Sequence, residues 1–516
     1  MTKDGFWHKS WQFALLFAII AMMAATIVAQ GGDLSAADVR EIVAAQSPTS
    51  GGGSMDLRSA SENIRPELTP IADLALAPEG EEHVAYAPDV PAPITRTDQR
   101  IIEVHLESIQ GICPLDPANG VDTDMWGFRI AGDDEVVCGS PGPVLRGRVG
   151  DVVRISLTNL PGNTHPHNID FHAVTGMGGG AAALTVNPGE TATIQIRLLY
   201  PGAFMYHCAY GDVSVHIAHG MYGMFIVDPE APLPEVEHEW AVMQSEWYVE
   251  EPADDGVAPF DNASMRVENP RYVTFNGRTD ALSGDNTLRM SVGERARIYF
   301  VNEGLNLDSN FHPIGSQWDT VYPEAATHPA NRVIRGSQST LVVAGGGTVV
   351  EIDALVPSTI ILVDHALVRT FYKGAIGTIV IDGADNPELF SVITAGNGDD
   401  GDVDGGGTTT TTQAAADVEV EITVDAFLPE NADDAYSPRD LTVPVGTTVR
   451  WVNGDAMVHT VTSGTTDASV GTADGRFDSG FLNPGDSFTF TFTFAGTYDY
   501  FCLPHPWMTG TITVTG

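Results

Sequence analysis

The sequence predicts an all-β protein built of three related Greek-key β-sandwiches and preceded by one apolar helix. Three observations lead there. Residues 152–157, 192–197, 296–301 and 488–494 alternate apolar with polar or small side chains, the period-two pattern of a strand with one buried face. The 54 glycines and 32 prolines suit many short strands joined by turns. A unit also recurs. Tyr206-His-Cys-Ala209 leads to Gly223-Met-Phe-Ile-Val-Asp228, Val363-Asp-His-Ala366 to Gly377-Thr-Ile-Val-Ile-Asp382, and Tyr500-Phe-Cys-Leu503 to Gly510-Thr-Ile-Thr-Val514. Each copy reads as a penultimate strand, a loop and a closing strand, and the middle copy carries His365 where the others carry cysteine.

The elements follow in order. Lys3 and Lys9 precede an uncharged run from Trp11 to Ala29, which as a helix is about 28 Å long and near the thickness of a hydrocarbon core. Residues 1–30 therefore read as a signal-anchor or a signal peptide, with the rest of the chain exported to the periplasm or another extracytoplasmic space. Residues 31–95, with Ser47-Pro-Thr-Ser-Gly-Gly-Gly-Ser54 inside them, read as a flexible tether. The first sandwich is expected over 96–232 and the second over 233–392. A low-complexity linker follows over 393–417, and the third sandwich over 418–516. At 516 residues the chain has length enough for each to bury its own core.

Charge excludes one class of partner. The 68 acidic residues against 25 basic ones give a net charge of -43, and lysine occurs only at Lys3, Lys9 and Lys373. No basic patch is left for nucleic acid, and such an acidic surface suits high salt, where screening blunts self-repulsion. Of four cysteines, Cys113 and Cys138 have no metal-ligand context. In an exported chain they form a disulfide or stay as two buried thiols.

Chemistry concentrates in two constellations. The stretch His165-Pro-His-Asn-Ile-Asp-Phe-His172 is followed by His207-Cys208 and then by His216, His219 and Met221. His167 and His172 lie an odd number of residues apart, as do His207 and Cys208, so on extended backbone each pair diverges to opposite faces. One face collects His167 and Cys208, completed by His216 and Met221 from the following loop. Two imidazoles, a thiolate and a weak thioether make a blue-type copper site. The other face collects His172 and His207, an incomplete nitrogen site. His219 reads as a bystander, and His165 as a residue that supports the ligands from behind or lies at the surface. Near the C-terminus, Trp451-Val-Asn-Gly-Asp-Ala-Met-Val-His459 is followed by Cys502-Leu-Pro-His-Pro-Trp-Met508. That gives a second set of His459, Cys502, His505 and Met508, and Met457 reads as core packing.

These residues resemble the copper-containing nitrite reductases over about residues 97 to 385. The resemblance implies type 1 copper on His167, Cys208, His216 and Met221, and type 2 copper on His172 and His207. The third type 2 ligand would be His365, reaching in from the second domain of a neighbouring subunit in a homotrimer. It also implies Asp170 and His312 as the proton-handling residues and Ile314 as an apolar cover. The block 418–516 resembles amicyanin and plastocyanin-like cupredoxins and implies a further type 1 copper. Each chain would then hold two type 1 coppers and one type 2, reduce nitrite, and take electrons from a small cupredoxin or a cytochrome c. It would be tethered to the membrane if the helix is uncleaved. Two rival readings are weaker. A multicopper oxidase needs paired His-x-His motifs, and only His165-Pro-His167 has that form. A membrane-tethered electron carrier has no use for His365.

Overall fold

The computed structural model describes residues 64–391 and 418–516, apart from 425, 456, 467–470 and 483–484. The N-terminal apolar run and the 393–417 linker lie outside the described residues.

Six sheets pair into three sandwiches, each around its own buried apolar cluster. In the first, Ile101–Asp116 pairs antiparallel with Val121–Ile130 and parallel with Val152–Asn159, whose other edge takes Thr191–Arg197. The facing sheet runs Val84–Ala85, Val144–Arg148, Tyr222–Asp228, Gly202–His207 and Asp170–Phe171. Alternate residues Ile102, Val104, Leu106, Val153, Ile155 and Leu157 point into the core between them, as the period-two pattern requires.

Residues 64–95, read from sequence as part of the tether, are bound to this sandwich. Val84 and Ala85 pair with Leu145 and Val144, and the Ala77 N–H donates to the Ile101 carbonyl. Ala77, Val84, Ala87 and Val90 pack on the buried clusters. A two-residue strand and scattered alanines leave no periodicity to read.

The first and second sandwiches share a core. Val144, Tyr222, Met224 and Ile226 pack against Ala241, Met243, Tyr299, Val301 and Val349. Beside it Arg146 bonds Asp228 at 2.8 Å and Glu239 at 2.6 Å, while Arg297 bonds Glu239 at 2.8 Å and Glu351 at 2.6 Å. Removing one partner from a buried network of this kind would leave an uncompensated buried charge. Cys113 and Cys138 are disulfide-bonded, their Cα atoms 5.8 Å apart.

The recurring unit appears three times as an antiparallel pair: Gly202–His207 with Tyr222–Asp228, Ser358–Asp364 with Ile376–Asp382, and Gly496–Phe501 with Thr509–Thr515. Cys208, His365 and Cys502 each follow the last residue of the first strand. A helix fills the first two connections, Val213–Ala218 and Leu367–Lys373.

Candidate metal centres

Cys208 leaves its strand buried, His216 lies on the helix Val213–Ala218, and His167 is held by a bridge to Val186. Their donor atoms converge. Cys208 Sγ lies 3.3 Å from His216 Nδ1 and 3.9 Å from His167 Nδ1, and the two Nδ1 atoms are 3.3 Å apart. Met221 is fully buried, and its carbonyl accepts the Cys208 N–H at 3.0 Å.

Burial sets the protonation of this cluster. It pushes His167 down to about 3 and His216 to about 4, with neighbouring histidines adding a smaller push. The Cys208 thiol is raised by burial to about 11, against backbone N–H bonds from Asn168 and Tyr210. The imidazoles are therefore neutral with lone pairs available, and a bound cation must displace the thiol proton.

Three residues of this site have no sequence signal. Asn168 Oδ1 accepts the Ala209 N–H at 2.8 Å beside Cys208. Gln110 meets His167 Nε2 at 3.0 Å. Trp126 stacks on His165 at 4.5 Å and His219 at 4.1 Å, with His216 edge-on at 5.0 Å. His219 Nδ1 lies 2.7 Å from the Val215 carbonyl, outside the donor cluster.

The second face lies on the other side of the same backbone. His172 Nε2 and His207 Nε2 are 3.2 Å apart, and burial, then His207, lowers the His172 pKa. Asp170 is paired with His207 across the strands. The divergence expected of His167 and His172 occurs, yet only Asp170–Phe171 is strand, and His167 makes an isolated bridge to Val186. A glycine loop crosses Asp170: Gly179 has φ +59°, and a Cβ there would sit 1.7 Å from Asp170 Oδ1. Only glycine suits that position.

In the second sandwich His365 is exposed, and its ring is 5.1 Å from that of His312. His312 is in register with Val363, and its Nδ1 is bonded to the Gln338 carbonyl. Below them the buried Asp364 is bonded to Arg369 at 2.6 Å. Among the described residues, His365 joins no cluster of three ligand atoms with His172 and His207. Ile314 is half-buried on the same strand as His312.

In the C-terminal sandwich Cys502 Sγ lies 3.6 Å from His459 Nδ1 and 3.5 Å from His505 Nδ1, which are 3.2 Å from each other. Met508 is fully buried. Burial lowers His505 to about 3 and raises Cys502 to about 12. Met457, expected in the core, instead lines a cavity of about 580 Å³ with Phe427, Val458 and, from the second sandwich, Tyr372. It sits in the loop before His459, where no strand turns it inward.

Residues 423–515 match the family "Copper binding proteins, plastocyanin/azurin family", and residues 114–231 match "Multicopper oxidase". The chain is 40% identical over 319 residues to the copper-containing nitrite reductase of Neisseria meningitidis serogroup A, covering 61% of this chain and 79% of that protein. It is 32% identical over 276 residues to that of Alcaligenes faecalis, covering 50% of this chain and 72% of the relative. A solved copper nitrite reductase from Nitrosomonas europaea is 33% identical, with a TM-score of 0.48 over 56% of this chain and 96% of that one. Two His/Cys/His clusters with a buried methionine beside each are the donor chemistry of copper. The chain therefore belongs to the copper-containing nitrite reductases and carries a plastocyanin/azurin-type copper-binding region at its C-terminus.

Proposed function

We propose that the protein reduces nitrite to nitric oxide, taking one electron and two protons and releasing water. The observation that carries this reading is the pair His172 and His207, whose Nε2 atoms meet at 3.2 Å beside Asp170. That pair needs a third ligand, and the peptide bond from His207 to Cys208 joins it to the sulfur site. His365 of a second copy of the chain supplies the ligand, in a closed head-to-tail homotrimer. Support comes from the surface around it: Leu341, Leu367 and Val368 are 43% to 66% exposed, an apolar rim suited to a neighbour.

Copper on these three histidines supplies an open position that binds nitrite and a redox couple that reduces it. Asp170 and His312 bind the substrate oxygens and hand over the protons. Ile314 offers the apolar wall. Cys208 and His207 form the covalent path for the electron. Each chain holds two type 1 sites, His167–Cys208–His216–Met221 and His459–Cys502–His505–Met508, and one type 2 site.

The C-terminal sandwich is the fused electron donor, refilled by a small cupredoxin or a cytochrome c. Phe427 supports this role, lying 6.4 Å from His505 and 6.3 Å from Tyr372. Export to the periplasm or another extracytoplasmic space agrees with the disulfide, and the N-terminal run would anchor the trimer if it is retained. Copper counting with paramagnetic resonance, together with nitric oxide release from nitrite under a reductant, tests the whole reading. Fewer than three coppers per chain in a fully loaded sample, or nitrite left unreduced, contradicts it.

A further inference from the structure

The two cysteine-centred sites have matched sulfurs and unmatched histidines. Cys208 Sγ lies 3.8 Å from Asn168 Oδ1, and Cys502 Sγ accepts the Thr460 N–H at 3.3 Å. Both sulfurs are fully buried, and so are Met221 and Met508. The paired Nδ1 atoms are 3.3 Å apart in the first site and 3.2 Å in the last. The difference lies behind one imidazole. With Nδ1 turned to the metal, Nε2 carries the proton and points away from it.

His459 Nε2 donates to the Asp455 carboxylate at 2.7 Å, with the two residues 0% and 2% exposed. Among the described residues, the corresponding atom of His167 has no anion behind it: it faces the amide nitrogen of Gln110 at 3.0 Å, whose oxygen accepts from the Thr164 N–H and hydroxyl. Asp455 is fixed where it stands. The Phe427 N–H donates to its Oδ2 at 3.4 Å, and its own N–H donates to Asn453 Oδ1 at 3.0 Å. A carboxylate behind a ligating imidazole makes that ligand more basic, and a buried negative group acts on a nearby cation through a low dielectric. Both effects favour Cu(II) over Cu(I).

We propose that Asp455 sets the C-terminal copper centre at a lower reduction potential than the centre of His167, Cys208 and His216, so that the fused domain gives its electron to the core. The inference rests on the reading of both clusters as copper centres and adds a direction to it. One electron leaves the reduced C-terminal copper, which becomes Cu(II), and converts the Cu(II) held by Cys208 to Cu(I). No bond breaks and no proton moves.

The test uses the full-length copper-loaded protein without nitrite. Copper content and paramagnetic resonance are read first. Absence of either type 1 signal overturns the copper reading beneath the proposal, a failure visible before any potential is measured. Optical redox titration then follows, with Cys502→Ala and Cys208→Ala isolating each centre in turn. The expected result is at least a tenfold partition of a shared electron toward the core centre, which is about 59 mV for a one-electron couple. Asp455→Asn keeps the shape, removes the charge, and should raise only the C-terminal potential, by about the same factor. Gln110→Glu should lower only the core potential. Equal or reversed potentials in the unmodified protein overturn the proposal. So does an Asp455→Asn shift below twofold. If Asp455→Asn fails to load copper, the unmodified ordering and the Gln110→Glu shift decide.

Discussion

The first and second sandwiches close with the same strand, helix and strand, yet one encloses its ligands and the other leaves them at the surface. Cys208 and His365 occupy one structural position, each directly after the penultimate strand. Around Cys208 the loop folds inward, and His167, His216 and Met221 are all buried with it. Around His365 the helix Leu367–Lys373 turns an apolar rim outward, and His365 itself is exposed. On the proposed reading, the same loop would serve an electron-storing site where it closes over sulfur, and a shared catalytic site where it ends in a nitrogen donor open to another chain.

Substitutions around the second of these positions should separate these roles. His365→Ala is expected to have the largest effect, cutting nitrite turnover by roughly a hundredfold or more, since even supporting partners of a metal site matter by about 10–100-fold. The blue absorption from Cys208 and Cys502 should persist. Steady-state assays and paramagnetic resonance read both, and unchanged turnover would remove His365 from the site. Asp170→Asn should keep all the coppers and lower turnover by about 10²-fold, the lower range for loss of a general acid. If copper were lost with it, Asp170 would be structural. Gly179→Ala should act in the same direction and less strongly, because the added Cβ displaces Asp170.

A stability measurement tests the buried histidines. In the copper-free fold, burial holds His167, His216 and His505 down at about 3, 4 and 3, while in the unfolded chain they take up protons near pH 6.5. The unfolded state then binds more protons, so the stability of the copper-free protein is fullest above about pH 6.5 and falls as pH drops toward 4. Urea midpoints at pH 7 and pH 5 measure this, and equal midpoints would contradict the buried, neutral assignment.

The two His/Cys/His clusters were legible because most of their members stand in short strings. His207-Cys208, His216 and Met221 span one loop, and so do Cys502, His505 and Met508. The groups that orient them were not legible. Gln110 and Trp126 come from Ile101–Asp116 and Val121–Ile130, strands far away in sequence that reach His167 and His216 only through sheet packing. Asp455 was within reach, four residues before His459 in a loop, but nothing in the sequence says that a loop carboxylate folds back onto a ligand. The binding of residues 64–95 to the first sandwich was hidden because backbone bonds, isolated side-chain bonds such as Tyr86 to the Ile130 N–H, and scattered small apolar contacts carry it without periodicity.

The sharing of the catalytic site between copies of the chain is tested most directly by complementation. His172→Ala and His365→Ala chains, each inactive alone, are unfolded together, refolded with copper at equal amounts and assayed for nitric oxide release. In a closed head-to-tail ring, random mixing pairs an intact His172 face with an intact His365 at about a quarter of the sites. Activity near a quarter of the unmodified protein is the predicted result. No activity in mixed assemblies, with both chains shown to be folded and copper-loaded, would mean that each chain completes its own site and would contradict the account.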